Sequence, residues 1–353
     1  MLANLRLQHF RSYKDDSFEF SKSVNIIVGP NASGKTNLLE AILVLARGNS
    51  YRAKDGELVA FNKSWARLDA NLLEGGLRTL KITTEPNPLK QYEISGKTYQ
   101  RLMLNHTLPV VLFEPNHLQL FSGSPERRRI YLDDLLEQTQ AGYGALRRQY
   151  RRTLAQRNAL LKKGGQTLQT QLFPWNVRLS QLGGQIVRAR EQLTREAQRS
   201  LPTLYKDLSR TRTKVALEYA PEWPAAAYET HLLQKLEAST ELDRERGFTT
   251  SGPHRDDLTV LFSGHPAQET ASRGEARTLV LGLKIIELQI IAAARGITPL
   301  LLLDDVFSEL DGARRRALTE HLSGYQTFIT TTDADIVVQH FTETCNIIPL
   351  NLR

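Results

Sequence analysis

A chain of 353 residues with 41% hydrophobic and 24% charged side chains can bury a full core, as two domains or as one large domain with an insertion. Lys and Arg number 46 against 38 Asp and Glu, and the formal charge of +8 suggests an anionic partner without separating nucleic acid from a membrane surface. No apolar run approaches the ~18 residues of a membrane span, and Arg6, Arg11 and Lys14 interrupt any signal-peptide core. Cys345 is the only cysteine, so no internal disulfide, no Cys/His metal site and a cytoplasmic setting are expected.

Residues 2–8 alternate apolar and polar side chains, as a half-exposed strand does. Val24-Asn25-Ile26-Ile27-Val28 is short, apolar and rich in β-branched residues, which predicts a buried strand. It runs into Gly29-Pro30-Asn31-Ala32-Ser33-Gly34-Lys35-Thr36, which fits G-x-x-x-x-G-K-[ST] without a mismatch. Leu38, Leu39, Ile42, Leu43 and Leu45 follow at helical spacing, with Gly48 as a stop. Strand, glycine-rich loop and helix are the geometry a polyphosphate needs. Backbone N–H groups surround the oxygens, Lys35 supplies a point charge, and the Thr36 hydroxyl reaches Mg²⁺. A glycine-rich turn matches this pattern by chance on the order of once per hundred chains, and the flanking elements reduce that further.

Short β-like runs follow between about 57 and 113, including Leu77–Thr84, Gln91–Ile94 and Leu108–Phe113, with Ser95-Gly96-Lys97 as a hairpin connection. They predict an antiparallel layer beside a parallel one. From Glu126 to Arg212 the pattern is helical, with breaks expected at Gly164-Gly165, Phe173-Pro174 and Leu201-Pro202. Leu146, Tyr150, Leu154 and Leu161 form an apolar stripe, and Arg147, Arg148, Arg151 and Arg152 fall on the opposite arc. Those arginines suit either a solvated face or sequence-independent contact with duplex phosphates. A strand at Val215–Tyr219 and a helix over Tyr228–Arg246 follow. The α/β pattern then returns: strand Leu258–Phe262, helix Arg273–Ala294, strand Leu300–Leu303, helix Ala313–Leu322, strand Gln326–Thr330 and a short final αβ segment. Residues 122–245 therefore read as a helical arm inserted between 1–121 and 246–353.

Pro299–Leu303 is an apolar strand ending in Asp304-Asp305. As a parallel strand next to Val24–Val28, it would place Asp304 in the Mg²⁺ shell and Asp305 near an attacking water; the alternative is a strand with an acidic turn. Ser272-Arg273-Gly274-Glu275 opens the long helix either as a capping box or as a helix start that meets a γ-phosphate. Ser308–Asp311 suits a helix cap, and Thr330–Asp333 suits a polar turn or a phosphate-lining one.

These pieces, in this order, resemble an ABC-type ATPase: Walker A, a downstream S-x-G-x helix start, an apolar strand ending in Asp304-Asp305, and Ser308-Glu309-Leu310-Asp311. Further stretches resemble the RecF family of SMC-like recombination mediators. They are Phe10-Arg11-Ser12-Tyr13, Gly123-Ser124-Pro125 with Arg127-Arg128 and Leu132-Asp133, Gly252-Pro253-His254-Arg255-Asp256-Asp257, and Thr330–Asp333. The resemblance implies an α/β, ABC-type P-loop ATPase head with a mixed sheet and an inserted helical arm, using ATP and Mg²⁺. It implies Asp304 as the Walker B carboxylate and Ser272–Glu275 as a signature that contacts ATP in trans across a homodimer. Asp311 would stand on the D-loop at that interface and Thr332 at the switch position. Asp305 stands where most such ATPases have Glu, the signature reads S-R-G-E rather than S-x-G-Q, and Thr332 replaces the usual switch His. The implied activity is a weak, DNA-stimulated ATPase that dimerises on double-stranded or gapped DNA and works with RecO and RecR to load RecA. Replication restart and SOS induction are implied with it. The competing readings, a transporter ATPase subunit and a small-molecule kinase, sit poorly with the long insertion and the signature.

Overall fold

The computed structural model describes residues 1–165, 167–341 and 345–352, apart from the side chain of Ile336. The chain forms two compact units, Met1–His117 with Glu287–Arg353, and Leu118–Ile286.

The first unit holds two sheets. One is antiparallel, in the spatial order Tyr13–Glu19, Asn4–Phe10, Trp65–Asn71, Leu77–Thr83, Leu89–Ile94, Lys97–Tyr99. Its strands alternate as a one-sided sheet should: Leu5 and Leu7 are buried, whereas Arg6 is exposed. The other sheet is parallel throughout, in the order Asn346–Pro349, Val24–Val28, Thr327–Thr331, Leu300–Asp304, Val110–Phe113. The near-continuous burial of Leu300–Asp304 and Thr327–Thr331 is what a sheet covered on both faces requires.

Between these sheets in sequence lies the helix Lys35–Arg47, in which every residue from Leu38 to Ala46 is buried. Its Leu38, Leu39 and Ile42 share one core with Leu5 and Leu7 of the antiparallel sheet and with Ile27 and Leu302 of the parallel one. A helix apolar on all sides is stable only when covered on all sides, so the P-loop helix is the centre of this unit.

One neighbour differs from the sequence expectation. Leu300–Asp304 does not pair with Val24–Val28; Thr327–Thr331 lies between them and pairs with both. At ~4.8 Å per strand the carboxylate strand stands about 10 Å from the loop strand, a gap that side chains from the strand ends span.

The second unit is mostly helical: Pro125–Thr139, Tyr143–Lys163, Leu168–Ser209, Tyr228–Ala238 and Thr240–Arg246. Tyr150, Leu179, Leu182, Ile186, Tyr228 and Leu232 form its core. The break at Gly164 is present, but those expected at Pro174 and Pro202 are not. Leu168–Ser209 is one helix of 42 residues with both prolines inside it, about 63 Å long. Each proline leaves the carbonyl four residues back without its helical donor, a cost of ~3 kcal/mol. The buried stripe from Leu172 through Leu182, Ile186, Leu193 and Leu201 outweighs it. Tyr228–Arg246, read as one helix, is divided at Ser239. Asp257–Phe262 pairs antiparallel with Val215–Ala220, so the chain stays with the second unit until it returns inside the helix Arg273–Arg295.

Candidate functional site

The glycine-rich loop turns tightly where Val24–Val28 ends. The Gly29 N–H donates to the Thr331 carbonyl at 3.3 Å. A Cβ at Gly29 would lie 2.4 Å from the Leu350 carbonyl oxygen, so only glycine fits. Ala32 and Gly34 adopt positive φ of 67° and 102°, which curls the loop and turns successive N–H groups inward. Gly34 caps the helix without any side-chain acceptor on its first turn, leaving the helix N-terminus able to meet an anion. The Lys35 ammonium donates to the carbonyls of Gly29 at 2.8 Å and Pro30 at 3.0 Å. The Ser33 hydroxyl is fully buried with no hydrogen-bond partner. An orphaned buried hydroxyl in a loop that ends at an uncapped helix N-terminus fits a polyphosphate better than it fits a structural turn.

Asp304 is the focus of the strand ends. Its Oδ1 accepts from Thr36 Oγ1 at 3.0 Å and Thr330 Oγ1 at 2.9 Å, and its Oδ2 accepts from the Tyr51 hydroxyl at 3.2 Å. Thr36 comes from the P-loop helix and Thr330 from the intervening strand, so three elements converge on one carboxylate. This donor set is all oxygen, as Mg²⁺ requires. Asp305 follows in a left-handed conformation with φ 53°, uncommon for a residue with a Cβ, and its N–H donates to Thr330 Oγ1 at 2.9 Å. Burial, then the adjacent Asp304, raise its carboxyl above the ordinary range, and Lys35 opposes this. A carboxyl with raised basicity beside a metal-type oxygen set can orient and accept a proton from water.

Sequence reasoning missed Glu40, Ser50, Tyr51 and Arg52, which brace this site, and noted Arg11 and Tyr13 only as part of a family-like stretch. Glu40, the acid in an otherwise apolar helix stretch, is fully buried and accepts from Arg11 Nε at 2.8 Å, Arg52 Nη2 at 2.9 Å and the Ser50 hydroxyl at 2.5 Å. These bonds fix the segment Ser50–Arg52 against the P-loop helix, and that segment carries Tyr51 to Asp304. Tyr13 donates to the Gly34 carbonyl at 3.0 Å. An acid inside an apolar helical run was the available signal.

The other expected residues are placed as follows. Ser272 and Glu275 form a capping box: the Ser272 N–H and hydroxyl donate to Glu275 Oε2 at 2.9 and 2.8 Å, and the Glu275 N–H donates to Ser272 Oγ at 3.2 Å. Arg273 is exposed and Gly274 half-buried beside them, all four in the second unit. Asp311 caps the helix Gly312–His321, accepting from the Arg314 N–H at 2.9 Å, and also pairs with the Arg314 side chain. Thr332 is exposed past the strand end; Thr330, not Thr332, reaches Asp304. Arg148, Arg151 and Arg152 are exposed. Arg147 departs from the expected open arc: it pairs with Asp133, Asp134 and Glu137 at 3.0–3.3 Å and is only 20% exposed, because the preceding helix presents an acidic row to that face.

Fold and site together define an ABC-type P-loop ATPase head with a long helical arm. The RecF/RecN/SMC N terminal domain family matches residues 1–349. A DNA replication and repair protein RecF of Acaryochloris marina is 36% identical over 347 residues, covering 94% of this chain and 92% of that protein. One from Natranaerobius thermophilus is 35% identical over 354 residues, covering 95% and 92%. A solved structure of the recombination mediator protein RecF-ATPrS in the RecFOR pathway superposes with TM-score 0.87 at 30% identity, covering 99% of this chain and 97% of that one. An Smc head bound to the C-winged helix domain of ScpA shares the fold alone, at TM-score 0.56 and 16% identity. This chain belongs to the RecF family.

Proposed function

We propose that the protein is an ATP-switched DNA-binding repair factor in which ATP closes a homodimer on DNA and slow hydrolysis reopens it. The observation that carries this reading is the convergence of Thr36, Thr330 and Tyr51 on Asp304 beside a phosphate-shaped loop. Thr36 and Asp304 would hold Mg²⁺, which supplies charge neutralisation at the phosphate oxygens. Lys35 exchanges its two carbonyl partners for β- and γ-phosphate oxygens. The loop N–H groups and the Ser33 hydroxyl bind the remaining oxygens. Asp305 orients the attacking water and takes up its proton. The residual barrier stays high because the aspartate is one methylene shorter than a glutamate, which fits a switch better than a fast enzyme.

The signature Ser272–Glu275 meets the partner subunit's nucleotide, with Asp311 and Thr332 near the same interface. Glu275 holds the Ser272 hydroxyl in the unpaired state. The arm 122–245 offers Arg148, Arg151 and Arg152 to duplex phosphates; the contact is sequence-independent because no recognition helix or aromatic platform accompanies it among the described residues. The relatives are named DNA replication and repair proteins and a solved relative is placed in the RecFOR pathway, which supports a role in DNA repair with the partners of that pathway. Loading of RecA at single-strand gaps with RecO and RecR, replication restart and the SOS response belong to the proposal through the family resemblance. No helix among the described residues is long and apolar enough to cross a membrane; a cytoplasmic setting belongs to the proposal through the DNA-repair role of the relatives.

The test is a titration with a fluorescent ATP analogue in Mg²⁺ and in EDTA. The wild type binds in both and more tightly with Mg²⁺, and Asp304→Asn loses the Mg²⁺-dependent gain while keeping the EDTA affinity. Equal Mg²⁺ dependence in the two proteins would remove Asp304 from the metal shell.

A further inference from the structure

Two motifs that the ATPase leaves unused meet in the second unit. Arg128 forms a bidentate pair with Asp257, at 2.7 Å for both bonds, and Arg129 Nη1 donates to the Asp256 carbonyl at 2.8 Å. Asp133 is saturated by Arg190, Arg147 and the Tyr143 hydroxyl. Arg190 also donates to the Pro253 carbonyl at 2.6 Å, and the His254 ring bridges the Tyr150 hydroxyl and the Thr249 carbonyl. Gly252, at φ +130°, is fixed by this junction: a Cβ there would lie 2.7 Å from the Tyr150 hydroxyl.

The same residues wall a cavity of about 360 Å³, within the size range of ligand pockets. Its lining includes the aliphatic side chains of Ile130, Leu154, Ile186 and Pro253 together with Arg129 and Arg151. Arg151 makes no hydrogen bond or ion pair among the described residues, and Arg129 spends one N–H on a backbone carbonyl. Burial pushes the His254 pKa down to about 4, so arginines alone carry the positive charge. Glu126 and the saturated Asp133 leave it cationic in sum.

We propose that this cavity is a docking site for an acidic peptide segment of a partner protein, an apolar side chain entering among Ile130, Leu154, Ile186 and Pro253 while neighbouring carboxylates pair with Arg129 and, in the DNA-free protein, with Arg151. Charge complementarity selects the occupant, and the aliphatic lining separates it from nucleic acid. A duplex presents phosphates on a convex surface with nothing aliphatic to bury. An unpaired base would need a free, exposed aromatic face; of the two aromatic rings lining the cavity, Tyr150 is buried and His254 is held between the Tyr150 hydroxyl and the Thr249 carbonyl. Carboxylate–guanidinium pairs beside a small apolar pocket are the usual composition of a compact protein–peptide contact.

The test is selection of random heptapeptides displayed on phage against the full-length protein, then anisotropy titrations of the enriched sequences. Enrichment of Asp or Glu next to Leu, Ile or Phe is expected. Affinity should fall on the order of tenfold in Arg129→Ala and in Leu154→Glu, the first through lost charge-assisted bonds. Far-UV circular dichroism and binding of the ATP analogue verify folding of both variants. The proposal is overturned if no acidic–apolar sequence is enriched. It is equally overturned if enriched peptides bind both variants within twofold of wild type, or if only a labelled DNA duplex, and no peptide, responds to Arg129→Ala.

Discussion

Replacing Glu40 by Ala removes the brace on which the site rests. The carboxylate is wholly inaccessible and accepts from Arg11, Arg52 and Ser50. Breaking a buried ion pair costs about 3–5 kcal/mol. Arg11 and Arg52 keep 22% and 36% of their side-chain surface in water and can rehydrate, so we expect about 2–3 kcal/mol after that discount. For a unit of this size the thermal midpoint should drop by about 5–10 °C. Thermal denaturation followed by circular dichroism measures it, and Arg11→Ala with the double variant isolates the pair. The pH dependence has a fixed sign. Burial works to raise the Glu40 carboxyl, but the hydrogen bonds from Arg11, Arg52 and Ser50 outweigh it and hold the group below the ordinary glutamate range. Its contribution is therefore complete above the unfolded pKa of ~4.3 and is lost as pH falls through the lower folded value. The wild-type and Glu40→Ala midpoints should converge under acid. A shift below 1 °C at pH 7, or an unchanged gap at low pH, would refute the reasoning.

Gly29→Ala should lower both thermal stability and nucleotide affinity, since its Cβ meets the Leu350 carbonyl at 2.4 Å; unchanged affinity in the analogue titration would contradict the loop geometry. Lys35→Arg should slow ATP hydrolysis, read by phosphate release, because a planar fork cannot replace a compact ammonium in the loop. Burial raises Asp256 to about 6 and lowers His254 to about 4, so their effects on stability oppose one another between pH 4 and 6. Ionising Asp256 costs stability as pH rises, whereas His254 restores it as the unfolded histidine loses its proton. Asp256→Asn should leave the histidine unopposed, and its melting midpoint should rise more steeply than wild type from pH 4 to 6.5. Reversing charge at Arg148, Arg151 and Arg152 should weaken DNA binding and reduce the slope of log affinity against log salt by up to ~3; an unaltered slope would return them to a solvated face.

The strand–loop–helix of the phosphate site was legible because its signals are local: β-branched burial, a glycine pattern and helical spacing. The two sheets followed from the same alternation rules. What the sequence hid is non-local. Which strand separates Asp304 from the P-loop depends on pairing order, and periodicity carries no information about that. Pro174 and Pro202 read as breaks because their local penalty is visible, whereas the buried stripe that overrides it needs the neighbouring helices. Arg147 read as free because its acidic partners lie on another helix. Tyr51 had no motif to announce it, and only the fold brings it to a carboxylate 253 positions away.

Sedimentation velocity of the full-length protein with Mg²⁺, a non-hydrolysable ATP analogue and a gapped duplex addresses the shared-nucleotide dimer most directly. The account predicts a two-copy species that requires the nucleotide and is absent in Ser272→Arg. Single copies at saturating nucleotide and high protein concentration, or dimers unaffected by Ser272→Arg, would contradict it.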